Sequence, residues 1–99
     1  MTVESDFNKR LLKRLGIIFP GCIVLKTNAN DLPGFPDRII LFENRWASFE
    51  SKRSPIAGLR MNQDYYIDLL NGMSFARFVN PTTEELFIHE LQAAFRSKR

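Results

Sequence analysis

Asp37, Glu50 and Lys52 bring two carboxylates and an ammonium group together within sixteen residues of the chain. Two carboxylates bind a hard divalent cation through oxygen ligands, and such a cation polarises a phosphate and lowers the pKa of bound water. A nearby ammonium group stabilises the charge that develops on the phosphate, or orients the attacking water. The three side chains therefore predict metal-dependent hydrolysis of a phosphodiester. The alternative is a structural ion pair at a sheet edge, and spacing alone does not choose between the two.

The segment that joins these residues is predicted to form a β-hairpin. Two apolar runs flank a polar turn at residues 43–45, namely Ile39–Phe42 and Trp46–Phe49. If the pairing is centred before Asn44, Asp37 lies opposite Glu50. If it is centred after Asn44, Asp37 lies opposite Lys52. Both registers keep the same parity, so we expect the two acids and the lysine on one face and at one end of the hairpin.

Five further segments, on either side of the hairpin, have the patterns of helices or strands. They are a helix at residues 3–15, a strand at Cys22–Lys26, a helix at Asn62–Asn71, a strand at Ser74–Val79 and a last helix after Pro81. Gly16 and Gly72 are expected to end the first two helices, and Thr82 and Glu85 have capping-box spacing at the start of the last. The order is helix, strand, strand, strand, helix, strand, helix. This order predicts an α/β fold with a central mixed four-stranded sheet flanked by helices.

The chain of 99 residues has the size and composition of one soluble domain. It has no apolar run near the roughly 20 residues of a membrane span, and its polar N-terminus is unlike a signal peptide, so we expect a cytoplasmic protein. Cys22 is the only cysteine, which excludes an intramolecular disulfide and a cysteine-rich zinc site. A metal would therefore bind oxygen ligands, which favours magnesium, manganese or calcium. The net charge of +3 is compatible with a nucleic-acid partner.

The candidate residues lie within short motifs. The chain carries Gly34-Phe35-Pro36-Asp37-Arg38, then Glu50-Ser51-Lys52, then Gln63 at the start of the following helix. This pattern resembles the VRR-NUC branch of the PD-(D/E)xK nucleases, which shows Gly-x-Pro-Asp-Arg at one strand start, Glu-x-Lys at a strand end and a downstream Gln. The likeness extends to the order of elements from Glu4 to Val79. It implies a restriction-endonuclease-like core.

The resemblance also implies roles for the central residues. Asp37 and Glu50 would bind the metal together with the backbone carbonyl of Ser51, and Lys52 would position or activate the attacking water. Gln63 would lie beside the metal site. The sequence supports that position, because Gln63 shares a helical stripe with apolar residues that face inward. The alternative for Gln63 is a hydrogen bond at the end of the helix.

Five more residues are candidates around this centre. Glu4 corresponds to an acid that the family often carries in its first helix as a further metal ligand, although an acid there also suits the first turn of any helix. Lys26 resembles a strand-end lysine of the family and could face a phosphate, or be solvated. Arg38, Arg53 and Arg60 are candidate contacts to the DNA backbone, with a solvated surface as the alternative.

The function implied by the resemblance is that of a DNA endonuclease that uses Mg²⁺ or Mn²⁺. The sequence carries no zinc finger or helix-turn-helix signature, so any selectivity should be for DNA shape, such as branches or junctions. Stand-alone VRR-NUC domains, including viral ones, look like homodimers or larger assemblies that pair two active sites. By this likeness we expect a homodimer here, in the host cytoplasm if the protein is phage-encoded. Two alternatives stay open: a non-catalytic DNA-binding module that retains the nuclease fold, and a protein-interaction domain whose acids are ordinary surface groups.

Overall fold

The computed structural model describes residues 3–28, 31–52 and 62–96. Its elements, in chain order, are α1 (Val3–Ile18), β1 (Ile23–Lys26), β2 (Arg38–Phe42), β3 (Arg45–Ser51), α2 (Gln63–Met73), β4 (Ala76–Val79) and α3 (Glu84–Arg96). None of the helices in this part of the chain has the length and apolarity that crossing a membrane requires.

The four strands form one mixed sheet in the order β1-β2-β3-β4. β1 pairs antiparallel with β2 and β2 with β3, whereas β3 and β4 are parallel, and α2 supplies the crossover connection that a parallel pair needs. The β2–β3 hairpin closes at the pair Phe42 and Arg45, and Glu43 in its turn adopts a left-handed φ of 57°. The predicted α/β fold, with a mixed four-stranded sheet flanked by helices, is confirmed.

One face of the sheet carries the main core, where α1 and α3 pack. Apolar residues spaced four apart on α1 meet strand residues that alternate along β2, β3 and β4, as helical and strand periods require. The core comprises Phe7, Leu11, Leu15 and Phe19, then Ile40, Ala47, Phe49, Phe75 and Val79, then Phe87, Ile88, Leu91 and Phe95.

The opposite face of the sheet is only half covered by the described elements. α2 packs there on β3 and β4, in a smaller cluster of Ile67, Leu70 and Ala76 with Phe35, Trp46 and Phe78 at its edge. The β1–β2 half of this face exposes apolar side chains, with Ile23 at 55%, Leu25 at 47% and Leu41 at 37%. The edge of α2 therefore divides a covered half from an open half.

Both glycines expected to end helices lie inside them. α1 continues beyond Gly16, because Phe19 N–H completes a further turn on Leu15 O at 2.8 Å and buries its ring in the core. Burying such a ring contributes about 1.5–3 kcal/mol, more than the roughly 1 kcal/mol that a helical glycine costs. α2 likewise passes Gly72 and ends where Ser74 N–H donates to Leu70 O at 2.9 Å.

The predicted capping box of Thr82 and Glu85 is wrong. α3 begins at Glu84, and the Asn80 carboxamide accepts the N–H groups of Thr82 and Thr83 at 2.8 and 3.0 Å. The Thr83 hydroxyl accepts the Asn80 N–H at 3.1 Å in return. This local turn provides hydrogen-bond partners for the backbone N–H groups before the helix. Glu85 binds Arg14 instead of capping the helix.

An ion-pair cluster joins α1 to α3 beside the core. Arg10 and Arg14 each donate to the buried Glu84 carboxylate at 2.7 Å, and Arg14 also binds the exposed Glu85 at 2.5 Å. Each arginine is one turn from the other, so both reach the first turn of α3. The cluster sets the position of α1 against α3.

Candidate active site

Asp37 and Glu50 meet where β2 begins and β3 ends. Arg38 pairs with Phe49, so one further step of the register places Asp37 opposite Glu50, as expected for pairing centred before Asn44. Asp37 N–H donates to Glu50 Oε1 at 3.0 Å, which joins the two residues directly. Their side chains share the face of the sheet on which α2 packs.

The loop before β2 determines how Asp37 enters the sheet. Gly34 adopts a φ of 91°, a conformation that favours glycine, and the ring of Pro36 is fully buried. Thr27, just after β1, donates its hydroxyl to Pro36 O at 2.7 Å and its N–H to Asp37 O at 2.9 Å. The end of β1 therefore holds the backbone on both sides of the Asp37 Cα.

Lys52 joins the same group from the end of β3. Its Nζ donates to Gln63 Oε1 at 2.7 Å and lies 5.8 Å from the centre of the Phe78 ring, within the range of a cation–π contact. Gln63 is the first residue of α2 and is only 2% exposed. The predicted inward position of Gln63 is therefore confirmed, and a β-strand and a helix fix the lysine between them.

Asp37 and Glu50 place carboxylate oxygen atoms where little solvent reaches them. Glu50 is 6% exposed, and Oδ1 of the half-buried Asp37 carboxylate is also buried. Lys52 N–H donates to Val79 O on β4, so the carbonyl of Ser51 in the same trans peptide points away from β4, towards the β2 side. Two carboxylates and a carbonyl suit a hard divalent cation rather than zinc. The described residues contain no cluster of three or more acids, histidines or cysteines of metal-binding geometry.

The other predicted site residues either lie on the other face of the sheet or have side chains outside the described residues. Lys26 and Arg38 are register partners at the same end of the sheet, but alternation places both side chains on the opposite face from Asp37 and Glu50. Glu4 belongs to α1, and its side chain lies outside the described residues, as do Arg53 and Arg60.

Thr27 and Phe78 are contacts that the sequence did not indicate. Thr27 reaches Pro36 across a loop of eight residues, and no spacing rule predicts the path of such a loop. Phe78 on β4 is the register partner of Glu50 on the parallel strand β3. The sequence does not specify the register of that pair of strands. The sequence shows only that Phe78 is an aromatic residue in the strand that follows α2.

Comparisons with protein-family models, curated proteins and solved structures found no match to this chain.

Proposed function

We propose that this protein is a metal-dependent endonuclease that hydrolyses phosphodiester bonds in DNA. The observation that carries the proposal is the convergence of Asp37, Glu50 and Lys52 on one face and at one end of the β2–β3 hairpin, with Gln63 bound to the lysine. An ordinary surface ion pair would need neither the burial of Glu50 nor a buried glutamine beside the lysine.

Three oxygen donors would hold the cation: the carboxylates of Asp37 and Glu50 and the carbonyl of Ser51. Mg²⁺ or Mn²⁺ bound there supplies a Lewis acid for the phosphate and lowers the pKa of a bound water. The protein's own part is to orient the donors. Glu50 Oε1 accepts the Asp37 amide, and this bond fixes the glutamate side chain against the strand that carries the aspartate.

Lys52 would place a positive charge beside the scissile phosphate. Gln63 Oε1 accepts one of the three N–H donors of its ammonium, and the positive charge would attract a phosphate oxygen or orient the attacking water. Held between Gln63 and the Phe78 ring, the ammonium needs little reorganisation when charge develops on the phosphate.

The family, the oligomeric state and the preferred DNA structure are part of the same proposal. The motifs around Asp37, Glu50 and Gln63 support membership of the VRR-NUC branch of the PD-(D/E)xK nucleases and a restriction-endonuclease-like core. By the same likeness we propose that the protein is a cytoplasmic homodimer that selects branched DNA, such as junctions, by shape. A phage origin fits this likeness too.

The test is cleavage of supercoiled plasmid and of a labelled four-way junction in Mn²⁺, Mg²⁺ or EDTA. Asp37→Ala and Lys52→Ala should each lower the metal-dependent rate by at least about 100-fold, the usual contribution of a residue that acts at the reacting phosphate. Asp68→Asn is the matched control, because Asp68 is an exposed acid on α2. This control should cleave like the wild type.

Three results would count against the proposal. Cleavage that survives in both variants would place the activity elsewhere or in a contaminant. Salt-dependent DNA binding without cleavage in any metal would favour the non-catalytic DNA-binding module instead. A wild-type protein that neither binds nor cleaves DNA would favour a protein-interaction domain.

A further inference from the structure

The peptide bond between Pro36 and Asp37 is held at both of its polar ends. Its carbonyl, Pro36 O, accepts the Thr27 hydroxyl at 2.7 Å, and its N–H, on Asp37, donates to Glu50 Oε1 at 3.0 Å. The peptide bonds of the described residues are trans, and in a trans peptide the C=O and N–H groups point in opposite directions. Thr27 and Glu50 therefore hold this peptide from opposite sides.

Thr27 also binds the next carbonyl along the chain. Its own N–H donates to Asp37 O at 2.9 Å, so Thr27 contacts the carbonyl before the Asp37 Cα and the carbonyl after it. Both peptide planes that flank this Cα are thus fixed. The direction in which the Asp37 side chain leaves the backbone follows from those two planes, since only φ and ψ connect them.

Burial makes the Thr27 hydroxyl more than an incidental surface contact. Pro36 is among the most fully buried residues of the described chain, and a buried carbonyl needs a donor. A hydrogen bond to the carbonyl also polarises the peptide and strengthens its N–H as a donor. The Thr27 hydroxyl therefore supports the bond from Asp37 to Glu50 as well as the position of Asp37.

We propose that Thr27 is a positioning residue of the candidate site, which fixes the Asp37 carboxylate relative to that of Glu50 through the Pro36–Asp37 peptide. The inference rests on the proposed function for its consequence, because it matters to catalysis only if the two carboxylates bind the metal. Thr27 acts through the backbone of Pro36 and Asp37, to which its hydroxyl and its N–H donate. Loss of such outer contacts lowers metal affinity or activity by roughly 10–100-fold in known metal sites.

Three variants test this role. Thr27→Val keeps the branched shape and the backbone N–H but removes the hydroxyl, whereas Thr27→Ser keeps the hydroxyl. Ser74→Ala is the matched control, because the Ser74 hydroxyl also binds a strand carbonyl, Trp46 O, but at the opposite end of β3. The readouts are the NMR chemical shift of the Asp37 amide proton, the Mn²⁺ concentration that gives half of the maximal rise in Tm, and the cleavage rate.

We expect Thr27→Val to move the Asp37 amide proton upfield and to raise the half-saturating Mn²⁺ concentration roughly tenfold or more. Thr27→Ser should match the wild type in both readouts. Ser74→Ala should change the stability alone. An unchanged amide shift and Mn²⁺ response in Thr27→Val would overturn the role of Thr27, and so would equal changes in Thr27→Val and Ser74→Ala.

The readouts separate this inference from the proposed function. If the wild type neither cleaves DNA nor responds to Mn²⁺, the nuclease proposal fails, while the Asp37 amide shift still decides whether Thr27 orients Asp37. If Thr27→Val does not fold, the wild type decides the matter by itself. The Thr27 hydroxyl proton of the wild type must then be protected from exchange with water, because it is bound to Pro36 O, and a rapidly exchanging hydroxyl proton would overturn the role.

Discussion

Lys52 reaches the candidate site with its ammonium already bound on one side by Gln63, at 2.7 Å. A lysine side chain has four rotatable carbon–carbon bonds and therefore many rotamers. An ammonium group that is already held in one position stabilises a transition state more than one that must first be ordered. Gln63 is buried at the start of α2 and offers its amide oxygen to the lysine. The amide is neutral, so it orients the positive charge without cancelling it.

Gln63→Leu is therefore expected to lower the cleavage rate at saturating Mn²⁺ by roughly tenfold, with little change in the half-saturating Mn²⁺ concentration. The reason is that the Gln63 amide oxygen accepts a hydrogen bond from the Lys52 ammonium, and that charge would act on the phosphate and the attacking water. Steady-state cleavage of plasmid over a range of Mn²⁺ concentrations measures both quantities. Gln92→Leu, the same change at a half-exposed position of α3, is the control. A parallel loss of metal affinity in Gln63→Leu would show that the glutamine binds the metal instead.

The shared face of Asp37, Glu50 and Lys52 could be predicted from the sequence, because parity along a hairpin survives a shift in its centre. The register itself could not, since it depends on which residues form the turn, and Glu43 takes a left-handed φ that its residue type does not favour. Arg38 faces the other side because it follows Asp37 directly along the strand. The face of Lys26 depends on the β1–β2 register, and the sequence of the loop between these strands does not specify that register.

At the scale of elements, the contact between α1 and α3 depends on a buried charge. Burial alone would raise the pKa of Glu84, but the hydrogen bonds and charges of Arg10 and Arg14 outweigh that effect and hold its pKa below the usual 4.5. The hydrogen bond from Arg14 also lowers the pKa of Glu85, which is exposed to solvent and salt. Glu84 is thus the member of the cluster whose loss should matter for folding.

We expect Glu84→Gln to lower the free energy of unfolding near neutral pH by about 1.5–3 kcal/mol, the usual contribution of hydrogen bonds to a charged group. The folded pKa of Glu84 lies below 4.5, so its charge stabilises the fold above about pH 4.5 and that contribution is lost as the pH falls through the folded value. The variant should therefore lose less stability on acidification than the wild type. Urea denaturation between about pH 3 and pH 7 measures this difference.

Glu85→Gln is the control for this prediction, because Glu85 binds the same Arg14 while its side chain is 79% exposed. Its effect on stability should be clearly smaller, since water and salt screen an exposed pair. Equal effects of the two substitutions would mean that burial of Glu84 contributes nothing.

The ends of the elements illustrate what local sequence rules leave open. Apolar spacing predicted all three helices, yet Gly16 and Gly72 did not stop the first two, because burial and one further backbone hydrogen bond outweigh a modest preference. The start of α3 escaped the capping rule because Asn80 offers a competing local turn. Tertiary contacts and side-chain competition, which depend on the whole fold, decided these ends.

The two faces of the sheet differ in how far the described helices cover them. α1 and α3 fill one face with the main core, whereas α2 covers only the β3–β4 half of the other among the described elements. Asp37 and Glu50 lie at the boundary of that half, next to the uncovered β1–β2 surface. A phosphodiester backbone could reach the acids from this side without displacing the core, so the proposed metal site would lie beside an approachable surface.

This arrangement predicts that a bound metal stabilises the whole fold. The acids come from two neighbouring strands, so the unfolded chain lacks the site and a metal at 100 times its Kd should add about 2.7 kcal/mol to stability. In a domain of this size that corresponds to a rise in Tm of about 10–20 °C. Thermal denaturation with Mn²⁺, and with EDTA to reverse it, measures the effect. Asp37→Ala should abolish the rise and Asp68→Asn should retain it. A similar rise in Asp37→Ala would place the metal away from the hairpin, and with it the proposed chemistry.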